Sequence, residues 1–233
     1  MHVIVIHYPF LILALILLWM PRQLLRFGKF GRSRRQAPRV GLPFLRKDTN
    51  GMPSNDDPND RSLGLFRELK KKRNLLDFAR ACIGGLTLTG GIWGGAITLG
   101  PNPPPGRETE LVFLFGIISG IGVLIQTVRF EKRISLFPPV FYLSGLTFGL
   151  YEPLPAAFGL LLIWVANILI SNPSAFLLFY GLLLGAFGLL FKIPLENVTI
   201  VLVLIWTPPV LSALMRKRLV IINRKVKQRE VAA

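Results

Sequence analysis

Seven apolar runs separated by polar segments are the most regular feature of the chain. The first run, residues 3–20, contains no Lys, Arg, Asp or Glu. The six later runs cover residues 79–100, 111–128, 136–151, 154–170, 174–191 and 198–215. A helix needs about 20 mostly apolar residues to cross roughly 30 Å of hydrocarbon. The pattern therefore predicts an all-α, polytopic integral membrane helix bundle with about seven transmembrane helices.

The fourth and fifth runs are the shortest, and a turn containing Glu152, Pro153 and Pro155 joins them. Both runs can cross the membrane as ordinary spans. Alternatively they form one re-entrant hairpin, which leaves five full spans. The apolar pattern favours seven spans and leaves this alternative open.

A long polar segment between the first two runs divides the chain into four parts. Residues 1–20 are an N-terminal transmembrane anchor, and residues 21–78 are a basic cytoplasmic loop. Within that loop, residues 49–58 are rich in turn formers and predict a linker. Residues 62–78 predict a juxtamembrane amphipathic helix that lies on the inner leaflet or continues into the second span. Residues 79–215 form a six-helix transmembrane bundle, and residues 216–233 are a basic cytoplasmic tail.

The distribution of basic residues predicts the orientation of these segments. The chain has 28 Lys and Arg against 12 Asp and Glu, a net charge of +16. Seven crossings place 26 of the 28 bases on one side and leave only Arg107 and Lys192 on the other. Because basic loops stay cytoplasmic, we expect the N-terminus outside and the C-terminus inside, in a bacterial cytoplasmic (inner) membrane. The bases flank apolar runs, so the expected partner is a bilayer with anionic head groups and not nucleic acid.

Small residues four positions apart recur within the apolar runs. Such pairs let membrane helices approach closely, and packing is the favoured interpretation. The alternative is that these small residues line a narrow permeation path or contact a flat cofactor ring. We expect no cofactor. The pairs are Ala81/Gly85, Gly90/Gly94, Gly91/Gly95, Gly116/Gly120, Gly145/Gly149 and Gly181/Gly185.

Pro208 and Pro209 lie well inside the seventh run. Two adjacent prolines remove two backbone donors and should kink or break a helix. Transporters build substrate sites from broken membrane helices. The proline pair therefore supports an alternative function, a small-molecule permease or channel with a broken seventh helix.

Reactive side chains are scarce, which favours a non-enzymatic protein. The chain has one Cys and two His, too few for a clustered metal site, and we predict neither catalytic nor metal-binding residues. Glu152 and Glu196 are the only acid pair open to an enzyme acting on lipids, a third and weaker hypothesis.

A basic block in the cytoplasmic loop is the candidate contact with lipid or with a partner. The predicted function is an accessory or scaffold subunit of a membrane complex, bound to another membrane protein subunit. The block consists of Arg34, Arg35, Lys70, Lys71, Lys72 and Arg73.

Overall fold

A computed structural model describes residues 4–22, 71–91, 94–101, 104, 106–130, 134–167, 170, 172–217 and 219. These residues are mostly helical, with seven helices and four three-residue strands. The helices are α1 (Tyr8–Trp19), α2 (Lys72–Thr89), α3 (Arg107–Thr127), α4 (Val140–Leu150), α5 (Pro153–Ala166), α6 (Pro173–Leu190) and α7 (Leu195–Leu214). The strands are β1 (Ile4–Ile6), β2 (Ile97–Leu99), β3 (Val128–Phe130) and β4 (Ile134–Leu136).

Three helices, α3, α6 and α7, are long and apolar enough to cross a membrane. They contain 21, 18 and 20 residues, or about 27–31 Å at a rise of 1.5 Å per residue. The apolar helices α1, α4 and α5 contain 12, 11 and 14 residues, or about 16–21 Å. The mostly helical class is confirmed. Several predicted spans are shorter as helices than as apolar runs. Strand β1 occupies residues 4–6 of the first run, and in the fourth run α4 begins only at Val140, after Pro138 and Pro139.

The second apolar run, residues 79–100, is not a single helix as predicted. Helix α2 begins earlier, at Lys72, and ends at Thr89. Gly90 follows with φ +100°, and Gly94 and Gly95 also have positive φ angles. Only glycine adopts this conformation readily, so Gly90, Gly91, Gly94 and Gly95 form the turn beyond the helix and do not pack helices within it.

The early start of α2 also moves a predicted boundary. Residues 72–78 of the predicted amphipathic helix are the first turns of α2, so that segment continues into the apolar run. The proposed division between residues 78 and 79 therefore falls inside one helix. Residues 62–70 lie outside the described residues.

Two antiparallel ladders connect the helices at their ends. Strand β1 pairs with β2 in the register Ile4↔Leu99, and the His7 N–H donates to the Ala96 carbonyl at 2.8 Å. Strands β3 and β4 form a second ladder, beside which the Arg129 guanidinium lies 4.0 Å from the centroid of the Phe137 ring. The sequence analysis predicted no strands, because short apolar strands and apolar helices share a composition.

Helix α7 runs without a break through Pro208 and Pro209, which contradicts the predicted helix break. Both proline side chains are buried, so packing holds the segment in place where two backbone hydrogen bonds are lost. The Thr207 hydroxyl also donates to the Val203 carbonyl at 2.7 Å. The permease alternative therefore loses the broken helix on which it was based.

Helix α4 is the centre of the described bundle, with nine of its 11 residues buried. It packs most extensively against α2, and the two helices cross at glycines. A Cβ atom on Gly149 would lie 2.5 Å from the Gly85 Cα. A Cβ atom on Gly145 would lie 2.1 Å from the Phe78 carbonyl oxygen. Backbone therefore meets backbone here, and both residue numbers rise together, so α2 and α4 run in the same direction.

Candidate functional site

In its first turns, helix α2 buries three polar residues and exposes two leucines. Asn74, Asp77 and Arg80 recur every third residue, so they share one helix face, and each is at most 3% exposed. Leu75 and Leu76 on the other side are 56% and 41% exposed. A helix in water has the opposite arrangement, because charged side chains are almost never fully buried unless paired. The inverted pattern is the one that suits a helix surrounded by lipid.

Asp77 is held between two arginines from different parts of the chain. The Arg80 Nε donates to Asp77 Oδ1 at 3.0 Å, and Arg80 Nη2 lies 3.0 Å from the same oxygen. The Arg22 Nε lies 2.5 Å from Asp77 Oδ2, and its Nη2 donates to Asn74 Oδ1. Both carboxylate oxygens are thus paired, as a buried charge requires. We call Arg22, Asn74, Asp77, Arg80 and Gln126 the ion cluster.

The ion cluster binds the C-terminal end of α1. Arg80 Nη1 donates to the Met20 carbonyl and, at 3.3 Å, to the Leu17 carbonyl. Gln126 Nε2 donates to the Met20 carbonyl at 2.8 Å, and Gln126 Oε1 accepts from the Arg22 N–H at 3.1 Å. The last carbonyls of a helix have no partner within it, and a cation near them is favourable. The cluster therefore satisfies these groups and joins α1, α2 and α3.

Tyr142 connects α4 to the C-terminal end of α1. Its hydroxyl donates to the Leu18 carbonyl at 2.9 Å, and the Arg80 guanidinium lies 5.3 Å from the centroid of its ring. Gly122 makes room for this contact, because a Cβ atom there would lie 2.5 Å from the Tyr142 oxygen. Four helices thus meet at the end of α1.

We expect Tyr142→Phe to lower the free energy of unfolding by about 1 kcal/mol, because the buried Leu18 carbonyl loses its donor. The ring and its contact with Arg80 remain, so the loss measures the hydroxyl alone. Thermal unfolding of the purified protein in mild detergent is the measurement. Tyr8→Phe, at a side chain that is 68% exposed, is the control and should have no effect. An equal effect at both positions would contradict the assignment.

A second polar group lies between α4 and α6. The Thr147 hydroxyl and the Tyr180 hydroxyl are 3.0 Å apart, and the Tyr151 hydroxyl donates to the Leu184 carbonyl at 2.8 Å. Gly188 accommodates the Tyr151 side chain. These hydroxyls pair with one another and with backbone, so they hold helices together.

The described part of the basic block directly precedes the ion cluster at the start of α2. Lys71 and Lys72 are exposed at the start of α2, and Arg73 is half-buried. Arg34, Arg35 and Lys70 lie outside the described residues. The structure therefore describes three of the six predicted contact residues, directly after the polar segment 23–70, and does not describe the other three.

The predicted packing glycines within helices contact neighbouring helices. Gly85, Gly145 and Gly149 form the crossing of α2 and α4. At the other four glycines a Cβ atom would meet a side chain of α7, at 2.2–3.7 Å. The pairs are Gly116 with Ile200, Gly120 with Leu204, Gly181 with Trp206 and Gly185 with Leu202.

The sequence analysis missed the ion cluster. It began the second span at Ala79, so Asp77 was assigned to the polar loop and Arg80 to the span's edge. The signal was present in the spacing of Asn74, Asp77 and Arg80 directly before an apolar run. Arg22 and Gln126 carried no such signal, because their partners are distant in sequence.

Among the described residues, the helices pack closely and leave little open space between them. A packing gap between α4 and α7, too small to hold a water molecule, is lined by six apolar side chains and Thr147. Within the described residues, no three His, Cys, Asp or Glu side chains group as a metal site requires. Comparison of the chain with protein-family models, with curated proteins and with solved structures found no match. Function is therefore inferred from the geometry of the chain itself.

Proposed function

We propose that this chain is a multi-pass integral membrane protein that serves as a non-enzymatic accessory or scaffold subunit. Its N-terminus lies outside and its tail inside, in a bacterial cytoplasmic membrane. Seven membrane segments cross. Helices α3, α6 and α7 are long apolar helices, α1, α4 and α5 are shorter apolar helices, and α2 is an 18-residue helix that begins with charged residues. The inverted polarity at the start of α2 is the main support for membrane embedding, because the exposed Leu75 and Leu76 side chains need an apolar solvent.

The ion cluster is the observation that carries the scaffold role. Its charged groups pair with one another and with backbone carbonyls. They therefore hold helices together and do not serve as reactive groups. It also holds together the two ends of the polar segment 23–70, since Arg22 precedes that segment and Asn74 follows it closely. A basic segment that leaves from a rigid stem is well placed to dock an acidic surface of a neighbouring membrane subunit.

Orientation is tested by labelling single cysteines from each side of the membrane. In a Cys82→Ser background we expect Lys71→Cys and Lys217→Cys to react only from the cytoplasmic side. Gly106→Cys, in the segment before α3, should react only from the outside. Labelling of Lys71→Cys and Lys217→Cys from opposite sides would overturn the proposed orientation.

The scaffold role is tested by purification in mild detergent from the native membrane. We expect a membrane partner to co-purify at a fixed ratio and to be lost when Lys70, Lys71, Lys72 and Arg73 are all changed to Gln. The matched control changes Arg107 and Lys192, the two bases assigned to the outer side, to Gln and should keep the partner. A wild-type chain that purifies alone would contradict the proposal.

A further inference from the structure

Two basic residues adopt a backbone conformation that the other described residues leave to glycine. Lys192 has a φ angle of 56° and Arg216 has one of 50°. Among the described residues, every other position with a positive φ angle is a glycine. A side chain in this left-handed region crowds its own backbone, so glycine is strongly favoured there. Lys192 and Arg216 therefore lower the stability of the fold at positions where glycine would not.

Lys192 ends helix α6 through a pair of backbone hydrogen bonds. Its N–H donates to the Leu189 carbonyl at 3.3 Å, and the Ile193 N–H donates to the Gly188 carbonyl at 2.9 Å. This pair is the Schellman motif, in which the residue just past the helix is left-handed and is usually glycine. The motif requires the conformation of Lys192 but not its side chain.

Arg216 ends helix α7 with the same motif. Its N–H donates to the Ala213 carbonyl at 3.1 Å, and the Lys217 N–H donates to the Ser212 carbonyl at 3.0 Å. Glycine takes the left-handed position after α2, where Gly90 follows the last helical residue. A basic residue in place of glycine at the ends of both α6 and α7 indicates a use for the charge.

Helix α7 separates these two residues by the thickness of a bilayer core. Lys192 precedes the helix by three residues, and Arg216 follows it by two. The 20 residues of α7 span about 30 Å, and the hydrocarbon of a bilayer is also about 30 Å thick. Both side chains are exposed. A Lys or Arg at the end of a membrane helix extends its long side chain to the head groups.

We propose that Lys192 and Arg216 each bind the phosphate group of a phospholipid, Lys192 in the outer leaflet and Arg216 in the inner leaflet. Strong hydrogen bonds between a cation and a phosphate offset the cost of the left-handed backbone. Together the two sites fix the depth of α7 in the bilayer. This inference rests on the membrane embedding in the proposed function and not on the scaffold role.

A cation near the last carbonyls of a helix is also favourable without any lipid. The surrounding medium separates that effect from phosphate binding. Thermal unfolding is therefore measured for the delipidated protein in phosphate-free maltoside micelles and for the protein in phosphatidylglycerol bilayers. A third medium is a bilayer of an uncharged glycolipid with the same acyl chains, which offers an interface without phosphate.

In micelles, Lys192→Gln and Arg216→Gln should leave the Tm close to the wild-type value, because the backbone conformation stays and no phosphate is present. In phosphatidylglycerol each should lower the Tm by about 2–4 °C, and in the glycolipid neither should. Lys192→Gly and Arg216→Gly should raise the Tm in micelles by about 2–4 °C, since the crowding is removed, and should lose this gain in phosphatidylglycerol.

Arg107→Gln is the control, because Arg107 is an exposed base that pairs with Glu110 and has no positive φ angle. Its effect on the Tm should be the same in all three media.

Three results would overturn the proposal. The first is an equal loss for the Gln variants in micelles and in phosphatidylglycerol, which would assign the charges to the helix ends alone. The second is an equal loss in the glycolipid, which would assign them to the interface and not to phosphate. The third is a higher Tm for the Gly variants in phosphatidylglycerol as well. A chain that purifies without a partner would reject the scaffold role and leave both sites standing.

Discussion

Replacing Asp77 with Asn should lower the free energy of unfolding by about 3–5 kcal/mol, because it leaves two arginines without their shared counter-ion. The Arg80 and Asp77 side chains are each only 3% exposed, so water cannot replace the lost charge. The end of α1 should loosen as well, since Arg80 is oriented by Asp77 while it donates to the Leu17 and Met20 carbonyls. Thermal and chemical unfolding in mild detergent measure the loss.

A second ion pair in the same chain is the matched control. Arg107 and Glu110 also pair, with the same three-residue spacing, but their side chains are 42% and 56% exposed. Exposed pairs contribute about 0–1 kcal/mol, so Glu110→Gln should have little effect. Similar losses for Asp77→Asn and Glu110→Gln would show that burial of the cluster has no energetic consequence.

Replacing Gly145 with Ala should cost about 2–3 kcal/mol, because the added methyl group has no space. Its Cβ atom would lie 2.1 Å from the Phe78 carbonyl oxygen and 2.9 Å from the carbonyl carbon. Backbone atoms cannot rotate away as a side chain can, so α2 and α4 must separate. The separation should also weaken the nearby contact of Gly85 with Gly149. Unfolding curves in mild detergent report the change.

Gly120 provides the comparison for this substitution. It also belongs to a pair of small residues four apart, but a Cβ atom there would meet only the Leu204 side chain, at 3.7 Å. This is an ordinary contact, and alanine favours a helix over glycine by about 1 kcal/mol. Gly120→Ala should therefore be neutral or stabilising. If Gly145→Ala were equally harmless, the crossing of α2 and α4 would be wrong as described.

Composition and periodicity were enough to predict a mostly helical, apolar chain. They also placed small residues at helix contacts, as at Gly85, Gly145 and Gly149. They misplaced Gly90, Gly91, Gly94 and Gly95, because glycine serves both close packing and helix termination. Only the backbone conformation distinguishes the two uses.

A local pattern could place Asn74, Asp77 and Arg80 on one helix face, but it could not predict the partners of that face in other helices. Arg80 and Leu17 are 63 residues apart, and nothing near either residue indicates the other. The effect of Pro208 and Pro209 was misjudged for a related reason. Local chemistry predicts a break at two prolines, but tertiary packing of a buried segment decides whether the helix continues.

The most direct test of membrane embedding asks whether lipid or water surrounds the exposed faces of α2 and α3. In a Cys82→Ser background, spin labels on Ile83→Cys and Ile117→Cys probe side chains that are 40% and 61% exposed. Reconstituted in bilayers, both labels should collide more often with dissolved oxygen than with a water-soluble nickel chelate, while a label on Lys71→Cys shows the reverse. Preferential collision of the first two labels with the nickel chelate would contradict the embedding of α2 and α3 in lipid.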